Sequence, residues 1–146
     1  MSDFSFCKIK ENFYVSVGRL EPYKRYDILI DVFNKNGKKL IIIGDGSQMK
    51  NLKEKAKNNI EFKGYLFPDK SKIYLEKAKA FVFCGEEDFG IALLEPQVCG
   101  TPVIAYASGG ALDTVIHNET GILFKNQTQS SLTKAITLFE KTEFNY

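Results

Sequence analysis

Six short segments of this chain consist almost entirely of apolar residues, many of them β-branched or aromatic, and polar stretches separate them. The segments are Phe13–Val17, Leu40–Ile43, Ile60–Phe62, Ala80–Cys84, Pro102–Ala105 and Gly121–Phe124. Each is a continuous apolar run rather than an alternation of apolar and polar positions. Continuous runs are typical of strands that are buried on both faces, as in a parallel sheet.

The stretches between these segments carry apolar residues at helical spacing. Such sets are Ile28, Leu29, Val32 and Phe33; Met49, Leu52 and Ala56; and Leu132, Ala135, Ile136 and Phe139. Alternating strands and helices predict an α/β fold, a Rossmann-like doubly wound parallel sheet of about six strands with right-handed crossovers. Ser47 is expected to cap a helix, and Gly37 and Gly100 lie where helices should end.

The chain length of 146 residues is that of about one domain. Residues 1–12 are polar and unpatterned, so we interpret them as a tail or linker remnant and residues 13–146 as the domain. Apolar residues make up 44% of the chain and charged residues 26%, an ordinary globular balance that argues against intrinsic disorder.

Net charge and cysteine content narrow the possible functions. The formal net charge of +2 gives no sign of the concentrated basic face of a nucleic-acid binder. No apolar run approaches the ~20 residues of a membrane span, and the amino terminus lacks an apolar signal core. Cys7, Cys84 and Cys99 have no metal-binding spacing. We therefore expect no nucleic-acid partner, no metal and a reducing cytoplasm, with the cysteines as inert core residues and His117 in a structural or surface role.

Candidate chemistry is expected where the strands end. In open parallel sheets, ligands bind outside the carboxyl ends of the strands, at the switch point of the strand order. If the order is 3-2-1-4-5-6, strands one and four are neighbours there, and the loop over residues 18–25 faces the loop over residues 85–90. The Gly44-Asp45-Gly46 turn after strand two is not the fingerprint G-x-G-x-x-G, because Met49 stands where the last glycine would be.

Arg19 and Lys24 in the first of these loops suit an anionic ligand. Arginine offers a fork of donors and lysine a point charge, and both serve phosphate oxygens well. The alternative is that both are solvated surface charges. Gly90 precedes a predicted helix whose first amides could hold a phosphate group, and the alternative there is an ordinary tight turn.

Glu87 and Glu95 are expected at the same edge of the sheet. Glu87 falls in the fourth loop, and Glu95 follows the apolar run Ile91–Leu94 at the start of the next helix. A carboxylate in an apolar helix start needs a hydroxyl or a cation as its partner. Carboxylates suit sugar hydroxyls because each accepts several hydrogen bonds. A helix-dipole or salt-bridge role is the alternative for both residues.

Together these motifs resemble those of the retaining GT-B glycosyltransferases of family 4. Residues 16–25, SVGRLEPYKR, are similar to that family's G-R-L-x-x-x-K loop, and residues 87–95, EDFGIALLE, resemble its E-x7-E motif. Counterparts also exist for residues 44–46, 62–65, 99–105 and 109–110. The resemblance covers about residues 12 to 125, and the residues of these motifs look most similar to those of bacterial and archaeal mannosyltransferases of polysaccharide assembly.

The resemblance implies a C-terminal GT-B domain that binds a nucleotide-sugar donor. In such a domain, Gly18 belongs to the phosphate-binding loop, and Arg19 and Lys24 contact the pyrophosphate. Glu87 is the catalytic-site carboxylate that contacts hydroxyls of the donor sugar, and Glu95 accepts from the ribose hydroxyls.

The same resemblance assigns further donor contacts. Amides near Phe89, Gly90 and Ile91 would help hold the sugar and the phosphates, and the backbone around Tyr65 and Leu66 would border the base. GDP-mannose is the favoured donor and a UDP-sugar the alternative. The acceptor would be a glycan or a lipid-linked saccharide, and no bound cofactor or metal is implied.

Two departures from the family pattern stand out. Pro96 follows Glu95 where the family usually has alanine. A proline there should kink the helix and change the orientation of the Glu95 carboxylate. GT-B enzymes also have an N-terminal acceptor-binding domain, which is missing from this sequence. We therefore expect a fragment or isolated domain of a cytoplasmic enzyme, with peripheral attachment to the inner membrane face an option for the full-length protein, and inactivity of this chain alone.

Two other functions stay open. One is a stand-alone nucleotide-binding module that partners a separate acceptor-binding subunit and has no activity of its own. The other is a different GT-B activity, such as a sugar-nucleotide epimerase, against which the combination of G-R-L-x-x-x-K with E-x7-E argues.

Overall fold

Strands and helices alternate along residues 10–86 and 91–144, which the computed structural model describes. The strands are β1 (Tyr14–Val17), β2 (Leu40–Ile43), β3 (Ile60–Gly64), β4 (Ala80–Phe83), β5 (Val103–Tyr106) and β6 (Gly121–Phe124). The α-helices are α1 (Tyr26–Asn36), α2 (Met49–Lys55), α3 (Pro68–Lys77), α4 (Ile91–Val98), α5 (Ala111–Thr114) and α6 (Gln129–Lys141). A 3-10 turn over Pro22–Lys24 precedes α1. Every predicted strand is present, with small shifts at some ends.

All strand pairs in the sheet are parallel, and the strand order is β3-β2-β1-β4-β5-β6. This confirms the doubly wound architecture and makes β1 and β4 neighbours at the switch point. β1 pairs with β2 along its whole length, but its registered pairs with β4 involve only Tyr14 and Val15. The crevice of such sheets opens at this point of the order, outside the carboxyl ends of the strands.

The sheet buries both of its faces, which explains the continuous apolar runs. One face packs against α1 and α6, and its strand residues include Tyr14, Leu40, Ile42, Val82, Ile104 and Ile122. The other face packs against α3 and α4, and its strand residues include Val15, Ile41, Ile43, Phe81, Phe83 and Ala105. Neighbouring residues of one strand therefore enter different cores.

Helix ends follow the expected signals except at Ser47. Gly37 ends α1 in the left-handed region, φ 71°, and Gly100 has φ 76° shortly after α4. The prediction that Ser47 caps α2 is wrong, because Gln48 occupies the cap position and the Ser47 hydroxyl donates to Glu21 instead. No helix in the described part of the chain is both long and apolar enough to cross a bilayer.

Lys10 joins the start of the described chain to the carbonyl ends of two helices. Its Nζ donates to the Glu76 carbonyl at 2.6 Å, near the end of α3, and contacts the Cys99 carbonyl, just after α4, at 3.4 Å. It also donates to the Thr101 hydroxyl at 2.9 Å. A cation at this place is favourable because the partial negative charge of a helix lies at its carboxyl end.

Candidate functional site

Three loops meet backbone to backbone at the carboxyl edge of the sheet. A Cβ atom added to Gly44 would lie 1.8 Å from the Gly18 carbonyl oxygen, and one added to Gly46 would lie 2.7 Å from the Leu20 backbone nitrogen. A Cβ atom on Gly85 would lie 2.8 Å from the Lys24 Cα. The loop after β1 is therefore in close contact with the turn after β2 on one side and with the end of β4 on the other.

Backbone hydrogen bonds fix the first loop against the turn after β2. The Leu20 N–H donates to the Asp45 carbonyl at 3.0 Å, and the Leu20 carbonyl accepts from the Gln48 N–H at 3.0 Å. The Gly18 N–H donates to the Ile43 carbonyl at 3.0 Å. The Leu20 side chain is fully buried, so the loop is anchored at Leu20, between Arg19 and the later cation Lys24.

Arg19 presents most of its side chain to solvent. The side chain is 74% exposed, and its Nη2 lies 3.4 Å from Oε2 of Glu21. The guanidinium is therefore accessible to an anion from outside, and its expected contact with a diphosphate stays a prediction.

Lys24 lies over the end of the neighbouring central strand. Its Nζ is 5.3 Å from the centroid of the Phe83 ring, the last residue of β4, and 5.2 Å from the Tyr23 ring. Both distances fall within the range of a cation–π contact. The ammonium group is therefore held between the first loop and β4, on the side where the fourth loop begins.

Arg25, a third cation in this loop, is engaged in a structural contact. Its backbone is left-handed, φ 55°, and its guanidinium donates to both carboxylate oxygens of Asp27 at 3.1 and 3.2 Å. Burial acts to raise the pKa of Asp27, but the hydrogen bonds from Arg25 outweigh it and hold that pKa below its usual value. This pair orders the start of α1, and the sequence pattern did not reveal it.

Two buried hydroxyl groups lie beneath the first loop. Ser16 and Tyr26 are almost completely buried, and neither hydroxyl has a hydrogen-bond partner among the described residues. A Cβ atom on Gly18 would lie 2.9 Å from the Tyr26 hydroxyl oxygen. Burial raises the pKa of Tyr26, so the phenol stays neutral. Position 18 therefore has little room for a side chain as long as this hydroxyl is present.

Several residues of the predicted fourth-loop site lie outside the described part of the chain, namely Glu87, Phe89 and Gly90. The described chain resumes at Ile91, the first residue of α4. At the preceding end, Glu86 accepts a hydrogen bond from the Ser108 hydroxyl at 3.2 Å, which connects the loops after β4 and β5.

Glu95 does not lie in an apolar environment as its sequence neighbours suggested. Glu95 is exposed, whereas Leu93 is buried, so the protein interior does not oblige this carboxylate to have a partner. The expected contact with a hydroxyl or a cation stays a prediction. Pro96 is accommodated inside α4, which continues to Val98. The Gln97 side chain donates to the Leu93 carbonyl at 2.8 Å and so supports the helix next to the proline.

Tyr65 and Leu66 follow β3 at the same edge of the sheet. The Gly64 carbonyl accepts from the Gly44 N–H at 2.8 Å, which joins this segment to the turn after β2. Tyr65 is 66% exposed and contacts the exposed ring of Phe67 edge to face, whereas Leu66 packs partly into the core. The segment thus continues the row of loops that begins at β4.

His117 and the described cysteines have the structural roles expected of them. Nδ1 of His117 accepts from the Leu123 backbone N–H at 3.0 Å. Cys84 and Cys99 are buried thiols, and burial raises the pKa of both, that of Cys99 to about 11. Cys7 lies outside the described residues. Over residues 10–86 and 91–144, no three His, Cys, Asp or Glu side chains are grouped as a metal site requires.

The strand order defines a Rossmann-like α/β domain with a basic loop beside its switch point. Sequence comparison assigns this domain to a family. Residues 4–145 match the model of the glycosyl transferases group 1. The chain therefore belongs to this family of glycosyltransferases. This confirms the resemblance drawn from the motifs at the level of the family and of the GT-B fold.

Relatives of this chain include mannosyltransferases. It is 29% identical over 140 residues to the GDP-mannose-dependent alpha-(1-6)-phosphatidylinositol monomannoside mannosyltransferase of Mycobacterium tuberculosis, which covers 84% of this chain and 36% of that protein. It is 32% identical over 108 residues to the GDP-mannose-dependent alpha-mannosyltransferase of Corynebacterium glutamicum, covering 73% of this chain and 26% of that protein. The chain thus spans about a third or less of the length of these relatives.

A solved structure shows the same architecture. Anabaena HepE in complex with UDP-glucose superimposes with a TM-score of 0.77 at 26% identity, over 88% of this chain and 38% of that one. The Rossmann-like domain described above thus corresponds to a part of that longer chain.

The contact between Gly18 and Tyr26 predicts a measurable coupling between the two positions. Gly18→Ala should lower the free energy of unfolding by about 1–3 kcal/mol, because the new methyl group meets the Tyr26 hydroxyl in a packed interior. Tyr26→Phe should be nearly neutral, since it removes a buried hydroxyl that lacks a partner. The double variant should recover part of the loss, and chemical denaturation of all four proteins measures this coupling. Strictly additive losses would show that the hydroxyl does not restrict position 18.

The Arg25–Asp27 pair predicts a stability contribution that disappears in acid. Because the pKa of folded Asp27 lies below its unfolded value, the contribution is present above the unfolded pKa of ~3.9 and is lost as the pH falls through the folded pKa. Asp27→Asn should cost about 0.5–1 kcal/mol at pH 7, as expected of a partly exposed pair, and less at pH 3. Urea denaturation at both pH values measures the difference.

Asp113→Asn is a matched control for this experiment, because Asp113 also lies in the first turn of a helix, α5, and is exposed. Equal pH dependence of the two variants would assign the effect to the helix dipole and not to Arg25.

Proposed function

We propose that this chain binds the nucleotide-sugar donor of a retaining glycosyltransferase. The full enzyme would transfer a hexose, with mannose as the favoured one, to a glycan or lipid-linked acceptor. The observation that carries the proposal is the position of the first loop. This loop, which carries Arg19 and Lys24, follows β1, the neighbour of β4 at the switch point where sheets of this order bind ligands, and Lys24 lies over Phe83 at the end of β4. Membership of the glycosyltransferase family supports a donor with a diphosphate group.

The activities named for relatives of this chain support the choice of donor. Two relatives are described as GDP-mannose-dependent mannosyltransferases, and a structural neighbour holds UDP-glucose. On this basis GDP-mannose is the first donor to test and a UDP-sugar the second. The phosphate-binding part of the site would serve either donor, because it recognises the diphosphate that both share.

In the proposed reaction, the bond between the anomeric carbon and the diphosphate oxygen breaks, and a bond from that carbon to an acceptor hydroxyl oxygen forms. The departing diphosphate gains negative charge as the bond breaks. Arg19 and Lys24 would stabilise this charge, since fixed cations aimed at developing charge lower the barrier. Glu87, Phe89, Gly90 and the amide of Ile91 are proposed to contact the donor sugar and phosphates.

The other proposed contacts concern the nucleoside. Tyr65 and Leu66 lie in the loop that follows β3, and their backbone is proposed to border the base. Glu95 is proposed to accept from the ribose hydroxyls, and its exposure on α4 keeps its carboxylate accessible to a ligand.

Binding measurements on single variants test the phosphate assignment. Arg19→Ala and Lys24→Ala should each weaken GDP binding by roughly 10- to 150-fold, because each removes a charge-assisted hydrogen bond of about 1.5–3 kcal/mol. Guanosine should bind them as it binds the unaltered chain, whereas Glu95→Ala should weaken guanosine and GDP alike. Calorimetry with GDP, UDP and their nucleosides gives these affinities.

Lys141→Ala is a suitable control, since Lys141 is an exposed lysine at the far end of α6. Unchanged diphosphate affinity in both Arg19→Ala and Lys24→Ala would identify these residues as solvated surface charges and refute the proposed donor site.

The chain alone is expected to transfer no sugar at a measurable rate. Transfer needs an acceptor held in line with the donor and water excluded from the cleft, and this alignment contributes a large part of the rate of such reactions. Incubation of the purified chain with radiolabelled GDP-mannose and acceptor saccharides measures it. Efficient transfer would overturn the view that a further acceptor-binding domain or subunit is required.

A further inference from the structure

Glu21 lies in the first loop between Arg19 and Lys24, with its carboxylate turned into the turn after β2. Its side chain is 20% exposed, whereas that of Arg19 is 74% exposed. One carboxylate oxygen, Oε1, accepts a hydrogen bond from the Ser47 hydroxyl. The other, Oε2, accepts from the Ser47 backbone N–H at 3.3 Å and from Nη2 of Arg19 at 3.4 Å. A single carboxylate therefore contacts both loops and the guanidinium group.

The backbone contacts of the first loop do not hold the Arg19 side chain in place. They fix Leu20 between Asp45 and Gln48, but they do not reach the Arg19 guanidinium. Glu21 is also the residue before the 3-10 turn that carries Lys24, and its side chain makes no capping bond to that turn. The described hydrogen bonds of the carboxylate thus all come from Ser47 and Arg19.

The charge state of Glu21 suits this role. The Ser47 hydroxyl and backbone N–H, together with Arg19, hold the pKa of Glu21 below its usual value. The carboxylate is therefore ionised at neutral pH and acts only as an acceptor. Because it contacts the guanidinium through Nη2, it restrains the long Arg19 side chain while most of that side chain stays exposed.

We propose that Glu21 is a positioning residue for diphosphate binding, which orients the Arg19 guanidinium by holding it against the Ser47 turn. The proposal rests on the proposed function, because it presupposes that Arg19 contacts a diphosphate. Restraining a flexible cation before the ligand arrives raises affinity, since less side-chain freedom is lost on binding. Glu21 does not itself touch the ligand in this arrangement.

Calorimetric titration of the intact chain with GDP and with guanosine tests the role. Glu21→Ala should weaken GDP binding by about threefold to tenfold, in keeping with couplings inside one hydrogen-bond network, and should leave guanosine affinity within about twofold. Glu21→Gln should restore most of the GDP affinity, because its amide oxygen can still accept from Ser47 and Arg19. UDP and uridine serve as a second pair of probes.

A double variant separates positioning of Arg19 from a general loss of structure. In the Arg19→Ala background, Glu21→Ala should cause little further loss of GDP affinity, since its effect passes through the guanidinium. Glu61→Ala is the matched control: Glu61 pairs with Lys63 at the same two-residue spacing, but on β3. This control should leave the affinity for GDP unchanged.

Two results would overturn the positioning role alone: full additivity of Glu21→Ala and Arg19→Ala, or GDP binding by Glu21→Ala that equals or exceeds that of the unaltered chain while Arg19→Ala is impaired. Failure of Arg19→Ala alone to weaken GDP or UDP binding would likewise refute the role of Glu21, whereas failure of both Arg19→Ala and Lys24→Ala to weaken it would refute the proposed donor site itself.

Discussion

Close backbone packing of the loop after β1 is the constraint on which the candidate site depends. β1 is flanked by β2 and β4, so its loop has a neighbouring loop on each side. Gly44 and Gly46 allow the turn after β2 to approach on one side, and Gly85 allows the end of β4 to approach on the other. A side chain at any of these positions would separate the loops and move Arg19 and Lys24 relative to the switch point. The glycines thus contribute by having no side chain, which lets the backbones of neighbouring loops come into contact.

The strands could be predicted because burial on both faces leaves a clear pattern. Leu40–Ile43 and Gly121–Phe124 have the predicted ends, since each is a run that enters both cores. The end of β3 was harder to place, because the strand continues past Phe62 to Gly64 through a register shift against β2. An irregularity of this kind depends on the partner strand and has no local signal.

Side-chain partners in the site could not be predicted, because they come from distant parts of the chain. Ser47 had the appearance of a helix cap, but Glu21, 26 residues earlier, takes its hydroxyl. Glu95 follows an apolar run in the sequence, yet it is exposed on α4 while Leu93 enters the core. The positions of Arg19 and Lys24 were anticipated because they follow from the strand order and the loop in which they lie. The roles given to these two residues and to Glu95 stay predictions.

The three cations of the first loop have different surroundings, and this difference bears on how a ligand could bind. Arg25 makes two hydrogen bonds to Asp27 and orders the start of α1. Lys24 lies over aromatic rings, and Arg19 extends into solvent with one restraint from Glu21. An anion that approached Arg19 and Lys24 would not compete with the contact that begins α1. The Arg25–Asp27 contact and the charges proposed to recognise a diphosphate are therefore separate, so that binding need not break the contact that orders the start of α1.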